Sequence, residues 1–290
     1  MPVIQIEHLE KKYGKHVGTR DVTFSVNEGE IFGFVGPNGA GKSTTIKTLM
    51  GFITASGGSA SICGLDVMLD TKKIKLFTGY VPSDVRLYGN IRVKELLTCN
   101  SGFYERDCAP ETGRLCELFD IDVNKRFSEL STGNKKKVSI VCALAPKPKV
   151  VILDEPTSGL DPVMQRLLFN ELKRQAADGV TVLLSSHNLT EVQEYCDRVA
   201  FIKDGLILTV TDVREIGNLR KIITVTGGSG EIPDSFTLIK GEGVKRVFRS
   251  EHGGNGLLEN LAALSPDDFT VENESIEEYF WNLYGGEAQA

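Results

Sequence analysis

The sequence lacks the features that would anchor the chain in a membrane or hold it together by metal or disulfide chemistry. No window approaches the roughly 18 to 20 apolar residues that a membrane helix needs, and the N-terminus has no apolar stretch of the signal-peptide type. Six cysteines are present, but they form no Cys-x-x-Cys pair and no cluster with histidine. We therefore expect reduced thiols in a cytosolic compartment.

An excess of positive charge is also missing. The chain has 33 Lys and Arg residues against 39 Asp and Glu residues, which gives a net charge of −6. Broad nucleic-acid binding is not expected, because it requires many basic side chains to neutralise phosphates. One local phosphate site is not excluded by this charge. With 290 residues, 41% of them hydrophobic, the composition is that of a globular protein with about two domains.

Apolar strands alternate with helical patterns over the first 210 residues. The predicted strands include 31–35, 77–81, 149–153 and 180–184, and the region from about 91 to 145 is mostly helical. This alternation predicts an α/β fold with a parallel sheet and right-handed crossovers. After about residue 210 the sequence is richer in loops, and a capping box at Ser275–Glu278 opens a last helix. We predict a small α/β appendage over 211–290.

A glycine-rich segment between a predicted strand and a predicted helix has the spacing of a phosphate-binding loop. It comprises Gly36, Pro37, Asn38, Gly39, Ala40, Gly41, Lys42, Ser43 and Thr44, and its first eight residues fit G-x-x-x-x-G-K-[ST]. Glycine lets backbone N–H groups converge on a phosphate, and the helix N-terminus adds partial positive charge. We expect Lys42 to reach the β- and γ-phosphates of ATP, and the Ser43 hydroxyl to coordinate Mg²⁺.

Two carboxylates follow the apolar strand near residue 150. Asp154 and Glu155 emerge at its C-terminal end, the edge at which ligands bind in open α/β sheets. Alone, this pattern is more often a strand followed by a solvated turn. Beside a phosphate loop, it predicts that Asp154 acts at the Mg²⁺ ion and that Glu155 orients or deprotonates the attacking water.

Further segments resemble the ABC ATPase family. Leu130, Ser131, Thr132, Gly133 and Asn134 look like its signature motif, commonly LSGGQ. Residues 155–162 resemble its segment from Walker B into the D-loop, in which Asp161 is assigned to the nucleotide site and also caps the next helix. His187 matches the switch histidine, and Tyr13 matches the aromatic residue that stacks on adenine. The resemblance covers about residues 1–210, with five motifs in the family's order.

The resemblance implies an architecture and partners. The fold would be a P-loop NTPase cassette at 1–210, with a parallel-sheet core, an antiparallel β subdomain and an α-helical subdomain at about 83–145, followed by an accessory or regulatory domain at 211–290. Two copies would meet head to tail, with ATP held between the phosphate loop of one and the signature segment of the other. Glu155, His187 and Lys42 would be catalytic. A separate integral-membrane permease would hold the subunit at the inner face of the cell membrane.

Three positions depart from the family pattern. Thr132 replaces a signature glycine and Asn134 replaces its glutamine, but both are small and polar enough to preserve phosphate contact. Ser83 stands where the Q-loop has glutamine, and its side chain is too short to reach as glutamine does. We hypothesise that Asp84, or a water molecule bridged by Ser83, supplies the missing contact to Mg²⁺.

Several functional interpretations follow. The segment 275–280 resembles the ending of exporter ATPases of the drug, antibiotic and polysaccharide branch, although a generic amphipathic helix explains it equally well. The main interpretation is an ATPase that powers a transporter, favouring export. The alternatives are an ABC protein acting on ribosomes or chromosomes, against which the single cassette and acidic charge argue, and a regulatory or sensing protein with little turnover, against which Glu155 and His187 argue. The signature segment excludes a small-molecule kinase.

Overall fold

The computed structural model describes residues 2–85, 90–219, 221–228, 230–250 and 255–284. It divides into two compact units, 1–210 and 211–290. The division coincides with the position at which the sequence becomes richer in loops.

The first unit contains most of the regular structure. Its strands are β1 (Pro2–Tyr13), β2 (His16–Asn27), β3 (Ile31–Val35), β4 (Gly57–Ile62), β5 (Leu65–Asp66), β6 (Thr78–Val81), β7 (Val150–Asp154), β8 (Thr181–Ser186), β9 (Arg198–Lys203) and β10 (Leu206–Asp212). Its helices are α1 (Lys42–Leu49), α2 (Thr71–Lys75), α3 (Val93–Ser101), α4 (Ala109–Leu118), α5 (Thr132–Leu144), α6 (Pro162–Ala177) and α7 (Leu189–Tyr195), with a 3₁₀ turn at Phe127–Glu129. Within the described ranges, no helix combines the length and apolarity needed to cross a bilayer.

A single sheet organises this unit. Its strands lie in the order β5-β4-β1-β2-β10-β9-β3-β8-β7-β6. β9, β3, β8, β7 and β6 pair in parallel with one another, and β2, β1, β4 and β5 pair antiparallel with one another. β10 pairs in parallel with β2. β3, β7 and β8 are buried along their whole length, as expected of parallel strands covered on both faces. The predicted α/β fold with a parallel sheet is therefore confirmed.

The N-terminal hairpin is longer than the sequence pattern indicated. Apolar and polar residues alternate clearly only over Val22–Val26, but β1 and β2 are twelve residues each. The pairing register shifts between Ile6 and Leu9, where His8 has a positive φ of 49°. This bulge interrupts the period-2 alternation of side chains. A strand with interrupted alternation is not predicted from periodicity.

Helices dominate the segment from α3 to α5. The predicted cap at Asp161 is confirmed, and Ser131 provides a second cap. Ser131 Oγ accepts a hydrogen bond from Asn134 N at 3.3 Å at the start of α5. Asp161 Oδ1 accepts hydrogen bonds from Val163 N and Met164 N, both at 3.0 Å, at the start of α6. These side chains satisfy N–H groups that the first helical turn leaves unpaired.

The second unit is a small α/β structure. It contains α8 (Val213–Leu219), β11 (Lys221–Thr226), β12 (Phe236–Glu242), β13 (Lys245–Ser250), α9 (Asn255–Leu264), β14 (Asp268–Asn273) and α10 (Ile276–Leu283). The antiparallel strands lie in the order β12-β13-β11-β14, and a buried cluster joins β11, β12 and β13 to α9. The Ser275 capping box opens α10 as predicted. Every residue of β14 is exposed, including Phe269 and Val271, which alternate with polar residues.

The register of the parallel strands sets the position of the loops that follow them. Val35 of β3 pairs with Ser186 of β8, and Asp154 of β7 pairs with Ser185 of β8. The chain therefore leaves β3, β7 and β8 at the same edge of the sheet. The phosphate loop, Glu155 and His187 all begin at that edge.

Candidate active site

The phosphate loop connects β3 to α1 in a conformation that requires glycine. Gly41 precedes the helix with a φ of 113°, and a Cβ atom added there would lie 2.7 Å from the backbone oxygen of Gly18. A residue other than glycine is disfavoured at position 41 for two reasons. Its backbone would be strained at this positive φ, and its Cβ atom would collide with the Gly18 oxygen. The loop therefore presents the N-terminus of α1 to the edge of the sheet, where an anion is favoured.

Lys42 is a buried cation inside this loop. Its side chain is only 6% exposed, and its ammonium donates hydrogen bonds to Gly36 O at 2.6 Å and Pro37 O at 3.2 Å. The same Nζ lies 3.8 Å from Glu155 Oε1. Burial lowers the pKa of Lys42, while the carboxylates of Glu155 and Asp154 act in the opposite direction. The arrangement sets one positive charge where the loop's N–H groups converge, as binding of a polyphosphate requires.

Asp154 and Ser43 form a pair suited to hold a divalent cation. Asp154 is fully buried, and its Oδ1 accepts hydrogen bonds from Ser43 Oγ at 3.2 Å and Ser185 Oγ at 2.7 Å. Its Oδ2 is buried without a hydrogen-bond partner. Hydroxyl and carboxylate oxygens are ligands that Mg²⁺ accepts, together with water and phosphate oxygens. The described residues contain no cluster of three acidic, His or Cys side chains that could hold a metal ion.

Glu155 is held in an uncommon backbone conformation. Its φ is +48°, in the left-handed region that non-glycine residues rarely adopt. Its N–H donates to Ser185 O at 3.2 Å and Ser185 Oγ at 3.1 Å. Its carbonyl accepts from Lys136 Nζ at 3.2 Å and from Ser158 N at 3.4 Å. Such a conformation persists only where the surroundings fix it, and it occurs most often at functional sites.

His187 follows β8 and reaches the side chain of Glu155. Its Nδ1 lies 3.1 Å from Glu155 Oε2, and its side chain is 64% exposed. A protonated Nδ1 donates to the carboxylate in this geometry. The structure thus brings together Lys42, Glu155 and His187, the three residues that the sequence predicted as catalytic.

Lys42 and Glu155 border a cleft of about 200 Å³. Its lining comprises Tyr13, His16, Gly18, Asn38, Gly39, Gly41, Lys42, Ser43, Thr44 and Glu155. Gly36 and Ala40 are buried within the loop rather than in the lining, and Pro37 is exposed. Tyr13 is 45% exposed at the end of β1. His16 and Gly18 were not predicted, because their place beside the phosphate loop depends on how β2 packs.

The predicted signature segment does not line this cleft. Ser131 and Thr132 are exposed, and Gly133 and Asn134 are half-buried. A Cβ atom added to Gly133 would lie 2.4 Å from Gly159 O, so glycine is needed here for packing against the segment that follows Glu155. The start of α5 is therefore accessible from outside its own subunit.

Three further predicted residues lie apart from the cleft lining. Ser83 and Asp84 are exposed on the loop after β6, and Ser83 O accepts a hydrogen bond from Lys136 Nζ at 2.8 Å. Their proposed role at Mg²⁺ stays a prediction. The Asp161 carboxylate caps α6, and its role at the nucleotide also stays a prediction.

The sequence reasoning missed two polar residues beside the site. Ser185 bridges Asp154 and Glu155, as described above. Glu191 on α7 is buried and accepts hydrogen bonds from Thr157 Oγ1 at 3.2 Å and Ser186 Oγ at 3.1 Å. Burial raises the pKa of Glu191. The pair of serines directly before His187 was the available signal for Ser185, but nothing in the sequence ties Glu191 to Thr157, 34 positions away.

Comparison with known proteins supports the interpretation of this geometry. The sequence pattern of the ABC transporter family matches residues 19–158. The chain is 36% identical over 211 residues to the probable multidrug ABC transporter ATP-binding protein YbhF of Escherichia coli K12. That match covers 71% of this chain and 36% of YbhF, so the chain spans about a third of that relative.

Two further similarities cover most of the matched protein. The Nod factor export ATP-binding protein I of Burkholderia orbicola is 33% identical over 207 residues, covering 70% of this chain and 68% of that protein. A solved structure of an ATP-binding subunit of an ABC transporter is 30% identical, with a TM-score of 0.70, covering 74% of this chain and 91% of the other. Together with the fold and the site, these similarities establish that the chain belongs to the ABC transporter family.

Proposed function

We propose that this protein is a homodimeric, Mg²⁺-dependent ATPase subunit that energises export through a separate integral-membrane permease. One observation carries the proposal. Ser131 and Thr132, at the start of α5, are exposed and lie outside the lining of their own cleft. A helix N-terminus capped by a serine favours an anion, and the anion that fits this family's architecture is the γ-phosphate held by a second copy.

Each cleft contributes binding and catalytic groups. The phosphate loop and Lys42 bind the β- and γ-phosphates, and Tyr13 stacks on the adenine. Ser43 and Asp154 would hold the metal ion, which would neutralise charge on the phosphate oxygens. Glu155 orients the attacking water and accepts its proton, and His187 positions the Glu155 carboxylate through their 3.1 Å contact.

The second copy completes the site. Ser131, Thr132, Gly133 and Asn134 of one subunit contact the γ-phosphate bound to the other, and Asp161 lies in the adjoining D-loop segment. ATP then favours the closed dimer, whereas ADP lacks the phosphate that joins the two halves. Because a ligand shifts an equilibrium only by its differential affinity for the two states, hydrolysis releases the dimer.

The family and the names of relatives support the proposal of a membrane partner. A similar protein is named as a Nod factor export ATP-binding protein, and another as a probable multidrug ATP-binding protein. On the basis of these names we propose that this chain also powers export. The subunit would act at the inner face of the cell membrane through its permease, and the unit at 211–290 would be accessory or regulatory.

Substitution of Glu155 by Gln tests the proposal. The expected variant binds ATP with unchanged affinity, loses about 10² to 10⁴ in turnover, and forms a stable dimer with ATP. Turnover is measured by phosphate release, and dimerisation by light scattering with and without ATP. Glu28→Gln, on an exposed turn, is the matched control and should leave both unchanged. Full turnover in Glu155→Gln would show that the base has been misassigned, and an ATP-bound monomer would contradict the dimer.

A further inference from the structure

We propose that Lys136 is a positioning residue for the hydrolysis reaction, and that it ties the signature helix to the backbone of Glu155 and to the loop after β6. The inference rests on the proposed function and deepens it. It names the group through which α5 acts on Glu155 within one subunit.

Lys136 is buried, and each N–H group of its ammonium has a hydrogen-bond acceptor. The residue is only 2% exposed, although lysine is almost never buried without partners. Its ammonium donates to Pro82 O at 2.9 Å, Ser83 O at 2.8 Å and Glu155 O at 3.2 Å. Three carbonyl acceptors match the three N–H donors of a charged ammonium, whereas a neutral amine has only two. The site therefore holds the cation, and no donor is left for solvent.

The contact with Glu155 matters because of that residue's backbone. Glu155 has a φ of +48°, which is costly for a side chain larger than glycine. Ser185 fixes its N–H, and Lys136 fixes its carbonyl together with the longer bond from Ser158 N. The direction of the Glu155 side chain depends on this backbone conformation. Removing Lys136 frees one side of the peptide and lets the carboxylate leave the position that hydrolysis requires.

The same ammonium connects two other parts of the site. Lys136 lies five residues after Ser131, on the helix whose N-terminus would face the partner's nucleotide. It also holds the carbonyl of Ser83, the position at which this chain lacks the family's glutamine. A movement of α5 on engaging the partner's phosphate would thus reach Glu155 and residues 82–83 directly. Backbone carbonyls make this connection, so it does not depend on the short Ser83 side chain.

The test is a double-mutant cycle between Lys136→Met and Glu155→Gln. Lys136→Met retains much of the length and volume but removes all three donors. In the wild-type background we expect kcat to fall about 10- to 100-fold, the range expected when a catalytic group is misplaced by about 1 Å. KM for ATP should stay within about twofold, since Lys136 does not line the nucleotide cleft.

In the Glu155→Gln background the same substitution should change the residual single-turnover rate by less than about threefold, because the group that Lys136 positions is already absent. If Lys136 had a merely structural role, Lys136→Met would reduce the fraction of active protein in either background. The rate losses caused by Lys136→Met and by Glu155→Gln would then multiply in the double variant. Multiplied losses, or an unchanged kcat in Lys136→Met, would overturn the inference. If Lys136→Met does not fold, Lys136→Gln, which retains two N–H donors, replaces it in the same cycle.

Lys135→Met is the matched control on the same helix. The Lys135 ammonium faces the Phe127 ring, 5.8 Å from its centroid, rather than the backbone of Glu155. Its kcat should equal that of the wild type, and an equal loss in both lysine variants would also overturn the inference. The outcomes separate the two proposals. If Glu155→Gln retains full turnover, the proposed function fails. If Glu155→Gln loses turnover while Lys136→Met keeps it, only the role of Lys136 fails.

Discussion

His187 Nδ1 lies 3.1 Å from Glu155 Oε2, so the imidazole after β8 contacts the carboxylate after β7. Glu155 and His187 are 32 positions apart in the chain, and the residues between them do not indicate that their side chains meet. It arises because β7 and β8 are parallel neighbours with Asp154 paired to Ser185. The pair gives the candidate base an orienting partner at the edge of the sheet where the phosphate loop begins.

Removing the imidazole should impair turnover without impairing binding. His187→Ala is expected to lower kcat about 10- to 100-fold, because the Glu155 side chain loses the partner that orients it. The ATP dissociation constant should not change. His8→Ala is a close control, since exposed His8 also pairs with a carboxylate, Asp21, at 3.1 Å but lies outside the cleft lining. Equal kcat values for His187→Ala and the wild type would rule out an orienting role.

Ser185 should contribute to both stability and metal dependence. Ser185→Ala removes the 2.7 Å hydrogen bond to buried Asp154 and the side-chain acceptor of Glu155 N. We expect a loss of about 1 to 3 kcal/mol in the free energy of unfolding, since a buried carboxylate loses a partner. The Mg²⁺ concentration for half-maximal ATPase activity should also change. Urea denaturation and a Mg²⁺ titration measure the two effects, with the exposed Ser59→Ala as control. An unchanged Mg²⁺ dependence would separate Ser185 from the metal site.

Restoring the family's residue at position 83 tests the hypothesis about the Q-loop. Ser83 and Asp84 are exposed after β6, and we expect Ser83→Gln to change both the ATPase rate and its Mg²⁺ dependence by roughly twofold to tenfold. The longer amide would compete with Asp84, or with a water molecule bridged by Ser83, for the metal. Asp84→Asn provides the complementary measurement. If Ser83→Gln changes neither quantity, residues 83 and 84 have no role at Mg²⁺.

Glu171 should make the first unit less stable in acid. It lies on α6 with 3% of its side chain exposed, and it accepts hydrogen bonds from Arg114 of α4 and from Arg174 and Gln175 of its own helix. Burial alone would raise the pKa of Glu171, but these hydrogen bonds and the charge of Arg114 lower it below 4.5 overall. A carboxyl whose pKa is lower in the folded state stabilises that state above its unfolded pKa. The contribution is then lost as pH falls through the folded value.

The measurement compares urea unfolding of the wild type and Glu171→Gln between pH 7 and pH 3. At pH 7 the variant should be less stable by about 1.5 to 3 kcal/mol, the range for hydrogen bonds to a charged group. The difference should shrink below about pH 4.5, because the wild-type carboxyl then becomes neutral as well. Glu117→Gln, exposed on α4, should follow the wild type throughout. A difference that does not depend on pH would contradict the role of the Glu171 charge.

Local features of the chain could be predicted from the sequence without knowledge of the fold. The glycine-rich loop, the caps at Ser131, Asp161 and Ser275, and the fully apolar strands depend on residues a few positions apart, so their physical cause lies within the sequence itself. The full length of β1 could not be predicted, because the shift in pairing near His8 breaks its alternation. β14 was missed although Phe269 and Val271 alternate with polar residues.

What only the tertiary structure decided is which distant groups meet. Strand order and register bring Ser185 between Asp154 and Glu155, set His187 against Glu155, and bury Lys136 against the carbonyls of residues 82, 83 and 155. No residue type or local spacing encodes these contacts, because each one depends on how whole strands and helices pack. The sequence determined the chemical groups and the local backbone that presents them, and packing determined their partners.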